Sequence, residues 1–542
     1  MAQDIPSADL VLTGTVITVD EARPRVEAVA IGAGRILAVG SAADMPVGPT
    51  TRVVELGERC VLPGFVEAHG HAVAEALLFG KGSVVDIRAA SMDSAEAVLA
   101  AIRAGVANGR ELMYGWDPLS FPDLPLAGQD FLDRLAPDRP LVVVHHSGHL
   151  AWYNRESGRR HGIDRHTPDP PGGRYGRDAH GEPDGAAYGI EAITEITSPT
   201  GPPVGRRDAL PPGLADTLAR MSAVGLTMAG EMACLPPWRD ALLDPARRPA
   251  PSTRLRLYEP ASAVLRSTGR PDAGDDLIRQ NGIKVWVDGS PWAGTIAVSF
   301  PYLDTELTHR LGRGKRPHAS TNYTWDQLAE VVEAYFPHGW QLACHAHGDL
   351  AIDMILDVYE SVLSRYPRPD HRLRIEHVGA MRPDQFRRAA ALGVTASVFM
   401  DHVYFWGEVL TDELFGPKYG ARWAAAGSAV AAGMRISLHN DPPSTPENPL
   451  HNITVATTRR SRRGRVLAPE ERLTVTQAIR AQTLDAAYQL RADDITGSIS
   501  PGKYADLVVL SADPYTVAPS EITDLDVLAT FLAGEQTHGD PL

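Results

Sequence analysis

The sequence predicts an α/β fold: a parallel sheet made by strand–helix alternation, with a small β-sandwich assembled from the two ends of the chain. Three observations carry this expectation. From about Leu62 to Leu490, apolar strand-like runs alternate with amphipathic helical stretches, most clearly in the second half. Short segments rich in Val, Ile and Thr sit at both termini, and neither group could bury its apolar face alone. Polar residues recur directly after strands, where active sites gather in closed barrels and open sheets alike. Periodicity alone does not separate a (β/α)8 barrel from an open sheet.

In chain order, Asp9–Leu12, Thr15–Val19, Ala28–Ile31 and Arg35–Val39 read as short strands punctuated by glycine. The apolar run from Cys60 to Val66 reads as one buried strand and leads into Glu67-Ala68-His69-Gly70-His71. Between Asn154 and Arg207 the alternation breaks down. Pro170-Pro171, Gly172-Gly173 and Gly201-Pro202-Pro203 mark a long excursion of the kind that serves as a lid, a binding loop or a subunit contact. Thr324-x-x-Gln327 is a capping box opening a helix with Leu328, Val331 and Val332 on one face. There follow a strand at Gln341–Cys344, a helix from Leu350 to Arg365 stopped before Pro367, and a strand at Arg372–Glu376. The spacing then predicts a helix around Pro383–Ala391, a strand at Val394–Val398 and a helix near Arg422–Ala432. A strand at Met434–Leu438 and a helix at Val475–Leu490 complete the alternation. The turn-rich stretch Gly497 to Asp506 precedes a last strand, Leu507–Leu510.

Composition narrows the function classes. The chain has 542 residues, 44% hydrophobic and 22% charged, an ordinary globular balance with material for a sizeable core. Its net charge is −15, from 52 basic and 67 acidic residues, which argues against nucleic acid or an anionic membrane surface as the main partner. Cys60, Cys234 and Cys344 lie in apolar stretches and cannot make a disulfide framework, so a reducing, cytoplasmic setting is expected. Met1–Asp9 lacks a basic region followed by an apolar one, and no run approaches a membrane span.

The chemistry is carried by polar residues that close strands. His69 and His71, two apart, point to the same side of a strand and make half of a metal site. With 19 histidines in the chain such a pair also arises by chance, so the spacing alone is weak. Lys284 lies in the apolar Ile283-Lys284-Val285, where an unpaired ammonium is costly to bury. His345 ends one strand, His377 another, and Asp441 follows Ile436-Ser437-Leu438-His439-Asn440. Most have a bland reading as a hydrogen-bonded strand-end or turn residue, but six such coincidences over successive β–α units are much harder to ascribe to chance than any one of them.

In this order the residues resemble the amidohydrolase superfamily of metal-dependent hydrolases, and within it the family 3 branch that includes N-substituted formamide deformylases. The resemblance covers the N-terminal strands, Pro63–His71, Gly148–Asn154, Lys284–Ser290, Cys344–Asp349, Arg374–His377 and Ile499–Leu510. It implies a (β/α)8 barrel over residues 63–490 with an insertion around 154–207, and a β-sandwich from residues 1–62 and 491–542. It implies that His69, His71, Lys284 (as a bridging carbamate), His345, His377 and Asp441 hold one or two Zn²⁺ or other divalent ions. Glu231 is a further ligand candidate if Lys284 is unmodified. The sequence departs from the common pattern at His347, at His439-Asn440, and at Met400–Gly407, where many relatives have a Gln-Pro pair.

The implied reaction is hydrolysis of an amide-type C–N bond in an N-formyl or N-acyl amine or a cyclic amide. Metal-bound hydroxide would be the nucleophile and Asp441 the proton shuttle. His149, His347, His402 and Trp406 are candidate substrate contacts. The partners expected are a small-molecule substrate and a second copy of the chain in a homodimer. The same centre could cleave a lactone, ester or cyclic imide, or the barrel could be an idle binding module. Nucleotide binding on a doubly wound fold finds no support, since no Gly-x-Gly-x-x-Gly follows a first strand.

Overall fold

Eight strands, each parallel to its neighbours, curl into a barrel in chain order. They are Phe65–Gly70, Leu226–Glu231, Arg254–Pro260, Ile278–Trp286, Gln341–Ala346, Arg374–His377, Thr395–Phe399 and Ile436–His439. This computed structural model describes residues 7–80, 84–170, 173–197, 210–262, 266–310 and 321–542. Most of the strands are buried along their whole length, which is why they read as near-continuous apolar runs.

Ladder bonds run from the first strand through to the eighth, and one seam remains, between the eighth and the first. Other groups bridge it. The Asn440 N–H donates to Glu67 Oε1 at 3.0 Å. The Val66 N–H donates to the Gln482 carbonyl, and Gln482 Nε2 donates back to the Val66 carbonyl, both at 2.9 Å. This use of Gln482 explains a difference from the expected single helix Val475–Leu490. The chain instead forms two helices, Val475–Ala481 and Leu484–Gln489, broken where Gln482 turns to the first strand. The second helix stoppers the N-terminal end of the barrel. The Gln489 carbonyl accepts from Gln341 Nε2 at 2.8 Å, and Asn281 Nδ2 donates to the Leu490 carbonyl at 2.7 Å.

The two ends of the chain meet in one seven-stranded sheet, in which Leu507–Leu510 pairs antiparallel with Cys60–Pro63 of the strand Arg52–Pro63. The run Cys60–Val66 is therefore two strands, not one. It divides at Gly64, where the chain passes from the terminal sheet into the barrel. A Cβ at Gly64 would lie 2.2 Å from Thr227 Cγ2, so only glycine fits there. Asp9–Leu12 and Thr15–Val19 are likewise one strand, Leu10–Ile17, with an irregular register between Thr13 and Val16. The helix expected over Arg422–Ala432 is confined to Ala426–Ala431, after Ala424 turns to φ 56°. The capping box at Thr324 forms as expected.

A third sheet, of six strands, is inserted between the first and second barrel strands. Its strands run from Val85–Asp86 through Leu112–Trp116, Val142–His145 and Leu150–Tyr153 to Arg174–Arg177 and Pro183–Tyr188. The excursion expected at 154–207 is thus the later part of a larger insertion, of which Pro171, Gly172 and Gly201-Pro202-Pro203 lie outside the described residues. Its earlier strands have the same apolar composition as barrel strands, so the sequence pattern does not set them apart. The insertion roofs the C-terminal mouth of the barrel. Arg88 Nη1 donates to the Pro443 carbonyl at 2.8 Å, and Asp117 Oδ2 accepts from Trp406 Nε1 at 2.8 Å. Among the described residues no helix is long and apolar enough to cross a membrane.

Candidate metal centre

The C-terminal ends of the barrel strands bring His69, His71, Lys284, His345, His377 and Asp441 together beneath this roof. His69 is the penultimate residue of the first strand. His71 lies beyond the strand end and precedes the helix Ala72–Phe79, so the two rings converge from a strand and a turn. Their ring centroids are 5.6 Å apart. Asp441 Oδ1 lies 3.4 Å from His69 Nε2 and 3.4 Å from His71 Nε2. That oxygen is buried and accepts no hydrogen bond from the described residues. Lys284 Nζ is 3.2 Å from His69 Nε2.

These spacings fit a small cation. Four ligands at ~2.0–2.1 Å around a tetrahedral zinc-like ion stand roughly 3.3–3.4 Å from one another. A second group is formed by ring nitrogens of His345, His347 and His377, and a third by those of His69, His377 and His439, each within 4.8 Å. The backbone holds His377 and Asp441 in left-handed conformations, φ 71° and 56°, which cost on the order of 1–3 kcal/mol each and persist only where surrounding contacts enforce them.

The electrostatics suit ligand duty. Burial, with the charges of Lys284 and neighbouring imidazoles, pushes His69 well below its usual value. Burial and adjacent histidines do the same to His345 and His377, so all three are neutral and offer lone pairs. Burial also lowers the Lys284 ammonium to about 8, against the pull of Glu376 and Asp441. Burial raises Asp441, but the facing His71, then His439 and Lys284, outweigh it and leave the carboxyl below its usual range.

Partners behind the ligands fix ring orientation. His69 Nδ1 donates to Glu376 Oε2 at 2.6 Å, and Glu376 is held in turn by Arg374 at 2.5 and 2.8 Å. His345 Nε2 donates to the Gly289 carbonyl at 2.9 Å. Asp288 Oδ1 and Oδ2 accept from the backbone N–H groups of His347 and Gly348 at 2.9 and 2.7 Å. Burial pushes Asp288 up to about 7 against those bonds. Glu231 stands behind His71, 3.9 Å from its Nδ1, with its oxygens taken by the N–H groups of Val73 and Ala233 at 2.8 and 3.0 Å.

Of the four candidate substrate contacts, His149 is the one that keeps partial exposure, and its ring lies 6.5 Å from that of His345. His347 is buried, its Nδ1 has no hydrogen-bond partner among the described residues, and its ring stacks on His377 at 4.8 Å. His402 Nδ1 accepts from Trp423 Nε1 at 3.1 Å. Trp406 packs against His146 and Trp292, at 4.7 and 5.3 Å. Glu376 and Asp288 carry no motif that marks them in the sequence, and His439 stands out only as a departure from the common pattern. For Glu376 the available signal is a charged residue inside an apolar strand, two positions from Arg374.

The profile of the amidohydrolase family matches residues 52–538 of this chain. The chain is 29% identical to Protein LONG AFTER FAR-RED 3 of Arabidopsis thaliana, over 98% of this chain and 92% of that protein. It is 28% identical to an N-substituted formamide deformylase of Arthrobacter pascens, over 97% of each. Among solved structures, an uncharacterized metal-dependent hydrolase from Pyrococcus horikoshii OT3 superposes with a TM-score of 0.72 at 21% identity, covering 94% of this chain and 99% of that one.

Proposed function

The chain belongs to the amidohydrolase family, hydrolases of carbon–nitrogen bonds other than peptide bonds, and from that premise we propose that it cleaves a non-peptide amide using a divalent ion held by His69, His71 and Asp441. The observation that carries this reading is the bare, buried Asp441 Oδ1 standing equidistant from two imidazole nitrogens. Lys284, His345 and His377 extend the donor set toward a second ion, with Lys284 supplying oxygen ligands as a carbamate. Zinc is the metal that best suits this mixture of imidazole and carboxylate.

An ion bound there would acidify a water and polarise the substrate carbonyl. The chain's own contribution is proton handling and orientation. Asp441 is ionised, and its side chain is 16% exposed, so it reaches the space where water and substrate meet. It takes a proton from the attacking water and delivers it to the departing nitrogen. The C–N bond breaks, and a carboxylic acid and an amine leave. His149, at the edge of the roof, is the first choice for a substrate contact, with His347, His402 and Trp406 deeper in the wall.

The whole-length similarity to an N-substituted formamide deformylase supports an N-formyl or N-acyl amine as substrate. A lactone or ester remains the alternative, because the same donor set serves either carbonyl. The test is metal quantification of the purified protein, then turnover of formamides, N-acyl amines, cyclic amides and lactones. Asp441→Asn should retain a substantial share of the metal and lose at least ~100-fold in turnover, in line with loss of a proton-transfer group. Turnover of lactones alone, or full turnover by metal-free protein, would overturn the reading.

A further inference from the structure

The fifth barrel strand, Gln341–Ala346, ends as the first one does, on two histidines with one residue between them. His345 is the penultimate residue of the strand and His347 lies just past its end, as His69 and His71 do on the first. The ring centroids of His345 and His347 are 4.9 Å apart. His377, the last residue of the sixth strand, faces both, its ring 4.5 Å from that of His345 and 4.8 Å from that of His347. One ring nitrogen of each lies within 4.8 Å of the other two.

Each ring has a nitrogen that its protein neighbours do not take up. His345 Nε2 donates to the Gly289 carbonyl at 2.9 Å, which leaves Nδ1. His377 Nδ1 is engaged 3.0 Å from His439 Nε2, which leaves Nε2. His347 Nδ1 is buried and has no hydrogen-bond partner among the described residues. Buried polar atoms are almost always satisfied, so one that is not asks for a ligand or a function. The His347 backbone is pinned on both sides. Its N–H donates to Asp288 Oδ1 at 2.9 Å, and its carbonyl accepts from the Ala380 N–H at 2.8 Å. The ring therefore stands on a fixed base beside His377, with the His402 ring 5.1 Å away.

We propose that His347 is a metal ligand, and that His345, His347 and His377 together hold the second divalent ion as a three-imidazole site. The proposal rests on the metal-centre reading above and deepens it by changing the second ion's ligand set. Three neutral imidazoles suit Zn²⁺, Co²⁺ or Ni²⁺ and leave a coordination position open. Ligands at ~2.0–2.1 Å stand roughly 3.3–3.4 Å from one another, so the three rings close by up to ~1.5 Å on such an ion. A carbamate on Lys284 then adds to a site that three side chains already hold, and the second ion's occupancy does not depend on carbon dioxide. The assignment takes His347 out of the substrate wall. A wall residue presents a polar atom to open space, as the partly exposed His149 does, whereas His347 is 4% exposed.

Two measurements test this on the full-length protein. Chelator competition in bicarbonate-free buffer should show metal-free protein taking up two Co²⁺ per chain, and added bicarbonate should leave the affinity for the second unchanged. His347→Leu should weaken the second ion by more than ~100-fold, beyond the loss expected for a group that only supports a ligand, and leave the first in place. The other measurement needs no substitution. Anomalous diffraction from crystals of the Co²⁺-loaded protein should place an ion within bonding reach of His345, His347 and His377 at once. An ion bonded to His345 and His377 with His347 out of reach overturns the proposal. So does second-ion binding that survives His347→Leu undiminished, or that appears only with bicarbonate. An ion at His69, His71 and Asp441 alone overturns it and leaves the earlier reading standing. An ion at the three imidazoles alone supports it and removes the earlier reading, and a protein that takes up no Co²⁺ ends both.

Discussion

Lys284 is a lysine whose ammonium form the fold destabilises. It is fully buried, with its Nζ against His69 Nε2, and burial brings the group from 10.5 to about 8. Only the free amine attacks carbon dioxide, so carbamate occupancy should fall as pH drops below about 8. With ¹³C-bicarbonate, a carbamate carbon should appear at pH 8–9, fade toward pH 6 and be missing from Lys284→Met. A signal of equal size in that variant would remove Lys284 from the centre. The same shift has a signed effect on stability. The folded-state value is depressed, so the unmodified lysine's contribution is complete above 10.5 and is lost as pH falls through about 8. Lys284→Met should therefore flatten the stability–pH curve of bicarbonate-free, metal-free protein across that window. His69, His345, His377 and Asp441 were legible in the sequence because each interrupts or ends an apolar run. Glu376 was not, since its meaning depends on His69, which is 307 positions away in the chain and 2.6 Å away in space.

At the scale of the element, the strands of the second half were the most legible part of the fold. They are buried on both faces, so composition alone marks them, as at Gln341–Ala346 and Thr395–Phe399. Breaks that answer to distant partners were not legible. The helical spacing from Val475 to Leu490 runs on through Gln482, yet Gln482 leaves the helix to satisfy Val66 on both its N–H and its C=O. The run from Cys60 to Val66 looks continuous, yet Gly64 hands it from one sheet to another. Gln482→Ala keeps the backbone bond and deletes the side-chain donor, leaving the Val66 carbonyl unpaired inside the barrel. The expected cost is ~1–3 kcal/mol in urea unfolding, with faster amide exchange in the first strand than in the third or fourth. A loss below ~0.5 kcal/mol, within the range of an ordinary surface substitution, would mean that the seam is held elsewhere.

Across the whole molecule, the proposed centre and the barrel seam coincide. The unlaced interface lies between the first strand, which leads to His69 and His71, and the eighth, which leads to Asp441. An ion held by these three residues would join the two strands that the ladder leaves unjoined. Its binding energy would then count as closure energy for the barrel. Free metal at about 100 times its dissociation constant adds ~2.7 kcal/mol to the stability of any fold that binds it only when folded. The location makes a sharper prediction than the total. Chelation should lower the thermal midpoint, and the gain in amide exchange should concentrate in Phe65–Gly70 and Ile436–His439. The terminal sheet, anchored to the barrel by the buried Arg254–Asp506 pair at 2.7 Å, should keep its protection. Loosening spread evenly over all three sheets would instead show that the ion acts on the fold as a whole and not as the clasp of its seam.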